Sequence, residues 1–361
     1  MKYFITAIVS FFVLNLMLTF NYSSFSGNHF QPKLLSITHI MSLGWITMTI
    51  FGAMFQLIPV VLQVKIFSEF LAEIQYWLFT IGVITLVYSF WFFLVGLPLL
   101  IGAVLINAAI IIFIINITVT LTKVKEWNIT ATYLSAALFY LLVTAAAGLL
   151  LAINLGYPYI VGNHLEYISY HLIVAVVGWV SMVIMGVTFK LVSMFTLTHN
   201  FSIKSGKWAF GLINTGLIAL MYELHSKNQV LFIISSIIIA AGIFFFSFQV
   251  YVIFKGRIRK NLDAPLKFTR TSFIFFLLSA LFGLSLSISD LSGIINIKLA
   301  FGYVIFFGFI SMLIIGQMYK IIPFLTWYHK YSSKAGLEKV PTLKEMYNER
   351  LCHVEYYLML A

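Results

Sequence analysis

Two long, charge-free and predominantly apolar runs, Leu99–Val119 and Val230–Val252, constrain this chain more than any other feature. A helix that crosses the hydrocarbon core of a bilayer needs about 20 apolar residues, and both runs meet that length. The rest of the chain has the same character. Hydrophobic residues make up 61% of it and charged residues 9%, and its mean hydropathy is +1.02. A soluble domain is roughly 45–50% apolar and about 25% charged. These values exclude a water-soluble globular protein, a nucleic-acid binder and a disordered chain. They imply an all-α, polytopic membrane protein whose first partner is the lipid bilayer. The single cysteine, Cys352, excludes an internal disulfide and a cysteine-based metal cluster. The apolar stretch after Lys2 lacks a small-x-small cleavage site, so it reads as a helix of the fold.

Hydropathy and turn signals place helices at about 3–20, 34–62, 74–95, 98–122, 130–155, 166–198, 207–223, 229–255, 269–289 and 297–326. Gly96-Leu97-Pro98 marks a tight turn between the third and fourth. The net charge of +11 is then a topology signal. With the N-terminus inside, only Lys33, Lys227 and Lys298 fall outside, and the other 19 of the 22 basic residues lie inside. They include the cluster Lys255, Arg257, Arg259 and Lys260. Basic residues accumulate on the cytoplasmic side, so a cytoplasmic N-terminus is expected, with these charges as orientation anchors.

An internal repeat organises the chain. Gly44-Trp45-Ile-Thr-Met48, followed by Gly52, Leu57 and Pro59, returns as Gly178-Trp179-Val-Ser-Met182, followed by Gly186, Leu191 and Ser193. It returns again as Gly308-Phe309-Ile-Ser-Met312, followed by Gly316, Ile321 and Pro323. The offsets are 134 and 130 residues, a unit of four helices used three times. The units are residues 1–127, 128–262 and 263–361. Gly148 in the fifth helix matches Gly283 in the ninth. At 100° per residue, Gly44, Met48, Gly52, Phe55 and Pro59 share a stripe. Small residues at that spacing let helices approach closely in lipid, so the stripe reads as packing; the repeated methionine has soft metal ligation as its other reading. Glu349 through Leu358 corresponds to Glu69 through Leu78, which makes the third unit incomplete after its second helix and suggests a fragment of a twelve-helix protein.

Of the eight histidines, only His39 and His171 fall inside the expected spans, both in the outer third of a repeat helix. His164, His199, His225, His329 and His353 lie at helix ends or in loops, and His29 in the first outer loop. Ionisable groups at membrane depth are costly and often functional. For the two embedded imidazoles a ligand role stands beside a hydrogen bond to a neighbouring helix. Glu166, Glu223 and Asp290 sit near outer helix ends, where water is available, and Lys190 and Lys320 share a repeat position from which they would snorkel.

The stretch from Thr38-His39 through Gly44-Trp45 and Gly52 to Leu57-Ile-Pro59 resembles the tenth helix of the catalytic subunit of haem-copper oxidases (cytochrome c oxidase subunit I), cbb-type branch. That helix carries H-x-H, then G-W, a Gly and a Leu-x-Pro ending. The segment from His171 to Ser193 is similar, and NnrS-type membrane proteins look alike at this level. The resemblance implies three arcs of four helices in a pseudo-threefold bundle, oxidoreductase chemistry on oxygen or nitric oxide, a bacterial or archaeal cytoplasmic membrane, and a cytochrome or further membrane subunits as partners. In H-x-H the two rings point about 200° apart. This chain keeps only the second position in its first unit (His39, with Ile37 at the first) and only the first position in its second (His171, with Ile173 at the second). Its third unit has Phe301 and Tyr303. The resemblance also implies about six embedded histidines in a working oxidase, three of them for copper, so a conventional terminal oxidase is not expected. Carried over by position, His39 looks toward the second unit and His171 back toward the first. They would flank one compartment and hold a haem iron, or a copper ion, between them. The alternative from another class is a cofactor-free transporter or a scaffold subunit.

Overall fold

Polar caps and apolar runs set the helices. The computed structural model describes residues 1–21, 31–160, 164–258, 261–288 and 295–360, and these form eleven helices and no strand. They are α1 (Lys2–Phe20), α2 (Pro32–Leu62), α3 (Glu69–Trp91), α4 (Leu97–Leu121), α5 (Ile129–Gly156), α6 (His164–Thr196), α7 (Lys204–Ser226), α8 (Gln229–Lys255), α9 (Ala264–Ile288), α10 (Ile297–Lys334) and α11 (Glu349–Leu358). All but α7 and α11 are long and apolar enough to cross a membrane. The chain is an all-α polytopic membrane protein. Its α7, expected to span at 207–223, carries Lys204, Lys207 and Glu223 near its ends and falls short of the others in hydropathy.

Capping explains where the boundaries moved. Helix α3 starts at 69 rather than 74 because the Ser68 hydroxyl accepts from the Leu71 N–H at 3.2 Å. Helix α9 starts at 264 rather than 269 because Asp263 Oδ1 accepts from the Leu266 N–H at 3.2 Å. Each satisfies a first-turn amide that would otherwise lack a partner. Gly96 turns the chain between α3 and α4 at φ +92°, a left-handed conformation that suits glycine.

Three helices are not α-helical throughout. In α2, α6 and α10 a π-helical stretch occupies Ile40–Thr47, Val174–Val180 and Val304–Ser311. These begin 134 and 130 residues apart, the offsets of the sequence repeat. A π turn holds an extra residue, so uniform 100° steps do not carry from His39 across Gly44 to Met48. That reckoning holds from Met48 onward, and Met48, Met182 and Met312 are all buried.

The repeated glycines seat these helices on the helix that opens each unit. A Cβ on Gly44 and Gly52 would strike Ser10 and Tyr3 of α1; on Gly178 and Gly186, Tyr140 and Tyr133 of α5; on Gly308 and Gly316, Phe275 and Phe268 of α9. Each partner pair is seven residues apart, so two successive contacts lock each crossing. Beside Gly44, Trp45 stacks on Phe11 at 4.5 Å; beside Gly308, Phe309 stacks on Phe276 at 4.1 Å. Trp179 instead packs against Phe51 and Phe113.

Contacts divide the chain into two compact units, Met1–Leu191 with Phe210–Ser235, and Val192–Ala209 with Ser236–Ala361. Within the first, the Asn116 side chain clamps the backbone of Ser68 through both its amide groups, at 3.1 and 2.7 Å. Within the second, Gln249 does the same for the loop at Ser202 and Gly206. Helix α11 packs on α9, where Thr271 and Tyr356 share a hydrogen bond at 2.9 Å, as Thr6 and Tyr76 do at 2.8 Å between α1 and α3.

Candidate functional site

His39 is the last residue before the π stretch of α2. Its Nδ1 lies 2.8 Å from the Leu35 carbonyl, one turn earlier. A carbonyl only accepts, so Nδ1 carries the proton and Nε2 of the neutral ring keeps its lone pair. The bond fixes ring and tautomer as the outer hydrogen bond of a metal-ligating histidine does. Phe90 of α3 covers one side, with ring centroids 4.8 Å apart.

His171 stands three residues before the π stretch of α6. Its ring lies on Gly148 of α5, where a Cβ would come within 3.1 Å of Cε1 and 3.7 Å of Nε2. One turn back on α5, the Thr144 carbonyl faces the ring. The Thr144 hydroxyl is buried without a hydrogen-bond partner. Such an atom costs about 1–3 kcal/mol, and a site that tolerates it has a use for it or a partner to come.

His39 and His171 belong to the same compact unit. Both side chains are part-buried. On α10 Phe301 takes the corresponding sequence position, and a Cβ on Gly283 would come within 3.2 Å of its ring. That position therefore accepts an aromatic ring with or without nitrogens. Thr144 was not legible as part of this site, and Gly148 marked only the repeat.

His164 pairs with Asn154 at 3.0 Å, and His29 lies outside the described residues, as does Asp290. Among the described residues no three His, Cys, Asp or Glu side chains gather closely enough to hold a metal ion. Two imidazoles are a complete axial set for haem iron but fall short of the three-histidine copper site that the oxidase resemblance implies. Trp45 and Trp179 are both buried packing residues, and Trp179 Nε1 has no hydrogen-bond partner.

Two expectations about charge need correction. Glu223 is not solvated: it is 6% exposed, and its Oε2 has no hydrogen-bond partner. Its neighbour Glu166 pairs with Lys227 at 2.6 Å. Lys320 does not snorkel free but forms an ion pair with Asp263 and lies over the Phe195 ring.

Cys352 on α11 is fully buried. Burial first, then the carboxylates of Glu355, Asp263 and Glu349, push its thiol up to about 12. Only the thiolate reacts, and an ordinary cysteine has a pKa near 8.5. At pH 8 maleimide labelling should therefore run at least about a thousandfold slower in the folded protein than in denaturant. It should climb as pH approaches 12, and rapid folded-state labelling at pH 8 would contradict this. Compared with known proteins, the chain matches no family model and no curated sequence.

Proposed function

We propose that this membrane protein binds one haem through His39 and His171, as a ligand-poor relative of haem-copper oxidases. What supports the reading is that His39 and His171 are part-buried histidines on long apolar helices of one compact unit, and that the His39 Nδ1 proton is committed to Leu35, which leaves its Nε2 lone pair available. Toward such a group His39 is poised to offer Nε2, and Phe90 supplies an apolar wall. A bound haem would supply one-electron transfer or the binding of a diatomic gas. The chain's own contribution is to orient the rings from the two π-helical edges and to keep the compartment walled by aromatic side chains. A cytoplasmic N-terminus and a cytochrome as electron partner belong to the same proposal.

The test is a reduced-minus-oxidised visible spectrum with an iron determination on the purified protein, beside His39→Ala and His171→Phe. The phenyl ring should fold into the His171 slot, as Phe301 does in its counterpart. Soret and α bands are expected in the wild type and should vanish in His171→Phe while its thermal midpoint matches that of haem-depleted wild type. A colourless, iron-free wild type would retire the haem and leave a transporter or scaffold. Pigment persisting in both variants would rule out these ligands.

A further inference from the structure

Residues 255–270 hold six basic side chains, Lys255, Arg257, Arg259, Lys260, Lys267 and Arg270, and one acid, Asp263. That acid is spent. Its Oδ2 holds Lys320, and its Oδ1 caps the Leu266 N–H. Helices α8 and α9 are both long and apolar enough to cross a membrane, so the corner between them lies at headgroup level whichever way the protein is inserted. Tyr251, exposed near the end of α8 with Lys255 over its ring at 5.9 Å, marks the same level.

An open cleft of about 430 Å³ forms at this corner, lined by Arg257, Asn261, Leu262, Lys267 and Arg270. Among the described residues, no carboxylate lines it. The guanidinium of Arg257 is steadied by donating to the Phe254 carbonyl at 2.8 Å. Lys267 and Arg270, three residues apart, share one face of the first two turns of α9. That face continues toward the bilayer: Ile274, Leu278 and Leu281, at helical spacing from Arg270, are 53%, 47% and 55% exposed. A cationic, amide-bearing cleft thus opens onto an outward apolar stripe. Arginine and lysine suit phosphate oxygens, and the stripe suits an acyl chain.

We propose that this corner is a binding site for an anionic phospholipid, with its phosphate in the cleft and an acyl chain along Ile274, Leu278 and Leu281. A water-soluble phosphate ester would use the same cations but not the stripe. Native mass spectrometry of the detergent-purified protein, titrated separately with phosphatidylglycerol, phosphatidylcholine and glycerol phosphate, distinguishes these sources. Phosphatidylglycerol should bind, and Lys267→Gln with Arg270→Gln should weaken it about thirtyfold, given the worth of two interfacial charges. Lys123→Gln with Lys125→Gln removes as much charge elsewhere and should leave binding intact, and Lys267→Arg with Arg270→Lys should retain it. Equal weakening by both Gln pairs would overturn the site in favour of bulk charge, and equal binding of phosphatidylcholine would overturn the phosphate. Glycerol phosphate bound as tightly as the lipid would overturn the lipid assignment.

Discussion

Gly316→Ala should destabilise the protein by about 3 kcal/mol or more, while Gly302→Ala on the same helix should leave it unchanged or slightly more stable. The two substitutions add the same methyl group to α10. At Gly316 the new Cβ would lie 2.5 Å from Phe268 Cβ and 2.9 Å from the Pro265 carbonyl oxygen. Neither can move alone, because Pro265 and Phe268 sit in the first turns of α9, behind the Asp263 cap. Relief therefore requires α9 and α10 to separate, which forfeits the contacts at Gly308 as well. At Gly302 a Cβ meets nothing within 4 Å, and alanine is the better helix former by about 1 kcal/mol. Thermal midpoints of the two variants in one detergent decide the matter. A similar loss for both would mean that helix propensity, not the crossing, is being read.

That contrast also shows what the sequence makes legible. Gly316 could be singled out because it recurs with Gly52 and Gly186 at fixed spacing, and recurrence reports a constraint that hydropathy alone does not. Spans were legible for the same reason that membranes are demanding: an apolar run of sufficient length has few other uses. Their ends were less so, since Ser68 and Asp263 extend helices by hydrogen bonds that hydropathy does not weigh. The π stretches were not legible. Nothing in Gly44-Trp45 or Gly308-Phe309 distinguishes an α turn from one holding an extra residue, and angular reasoning across them fails.

The candidate site was legible in part. His39 and His171 stood out as the embedded histidines, but their surroundings are tertiary. The Leu35 carbonyl is a backbone group, and Thr144 and Gly148 lie on a different helix from the ring they face. The same limit explains the charged residues. Lys320 and Asp263 are 57 residues apart, and only the packing of α10 beside the start of α9 makes them partners.

Lys320→Met should cost about 3–5 kcal/mol and lower the thermal midpoint by at least about 5 °C. Asp263 is 7% exposed and Lys320 16% by side chain. Methionine keeps the contact over Phe195 but takes the Lys320 ammonium away from a buried carboxylate, and that penalty dominates. The reverse change, Asp263→Asn, should be milder. Asparagine still caps Leu266, being among the best N-cap residues, and the longer lysine can carry its ammonium toward water. The double variant, Lys320→Met with Asp263→Asn, should recover most of what Lys320→Met alone loses, because no buried charge remains to be paired. A double-mutant cycle on these four proteins measures the coupling directly. If the two single losses simply add, the pair contributes nothing beyond its separate packing, and the ion pair is not what joins α10 to α9.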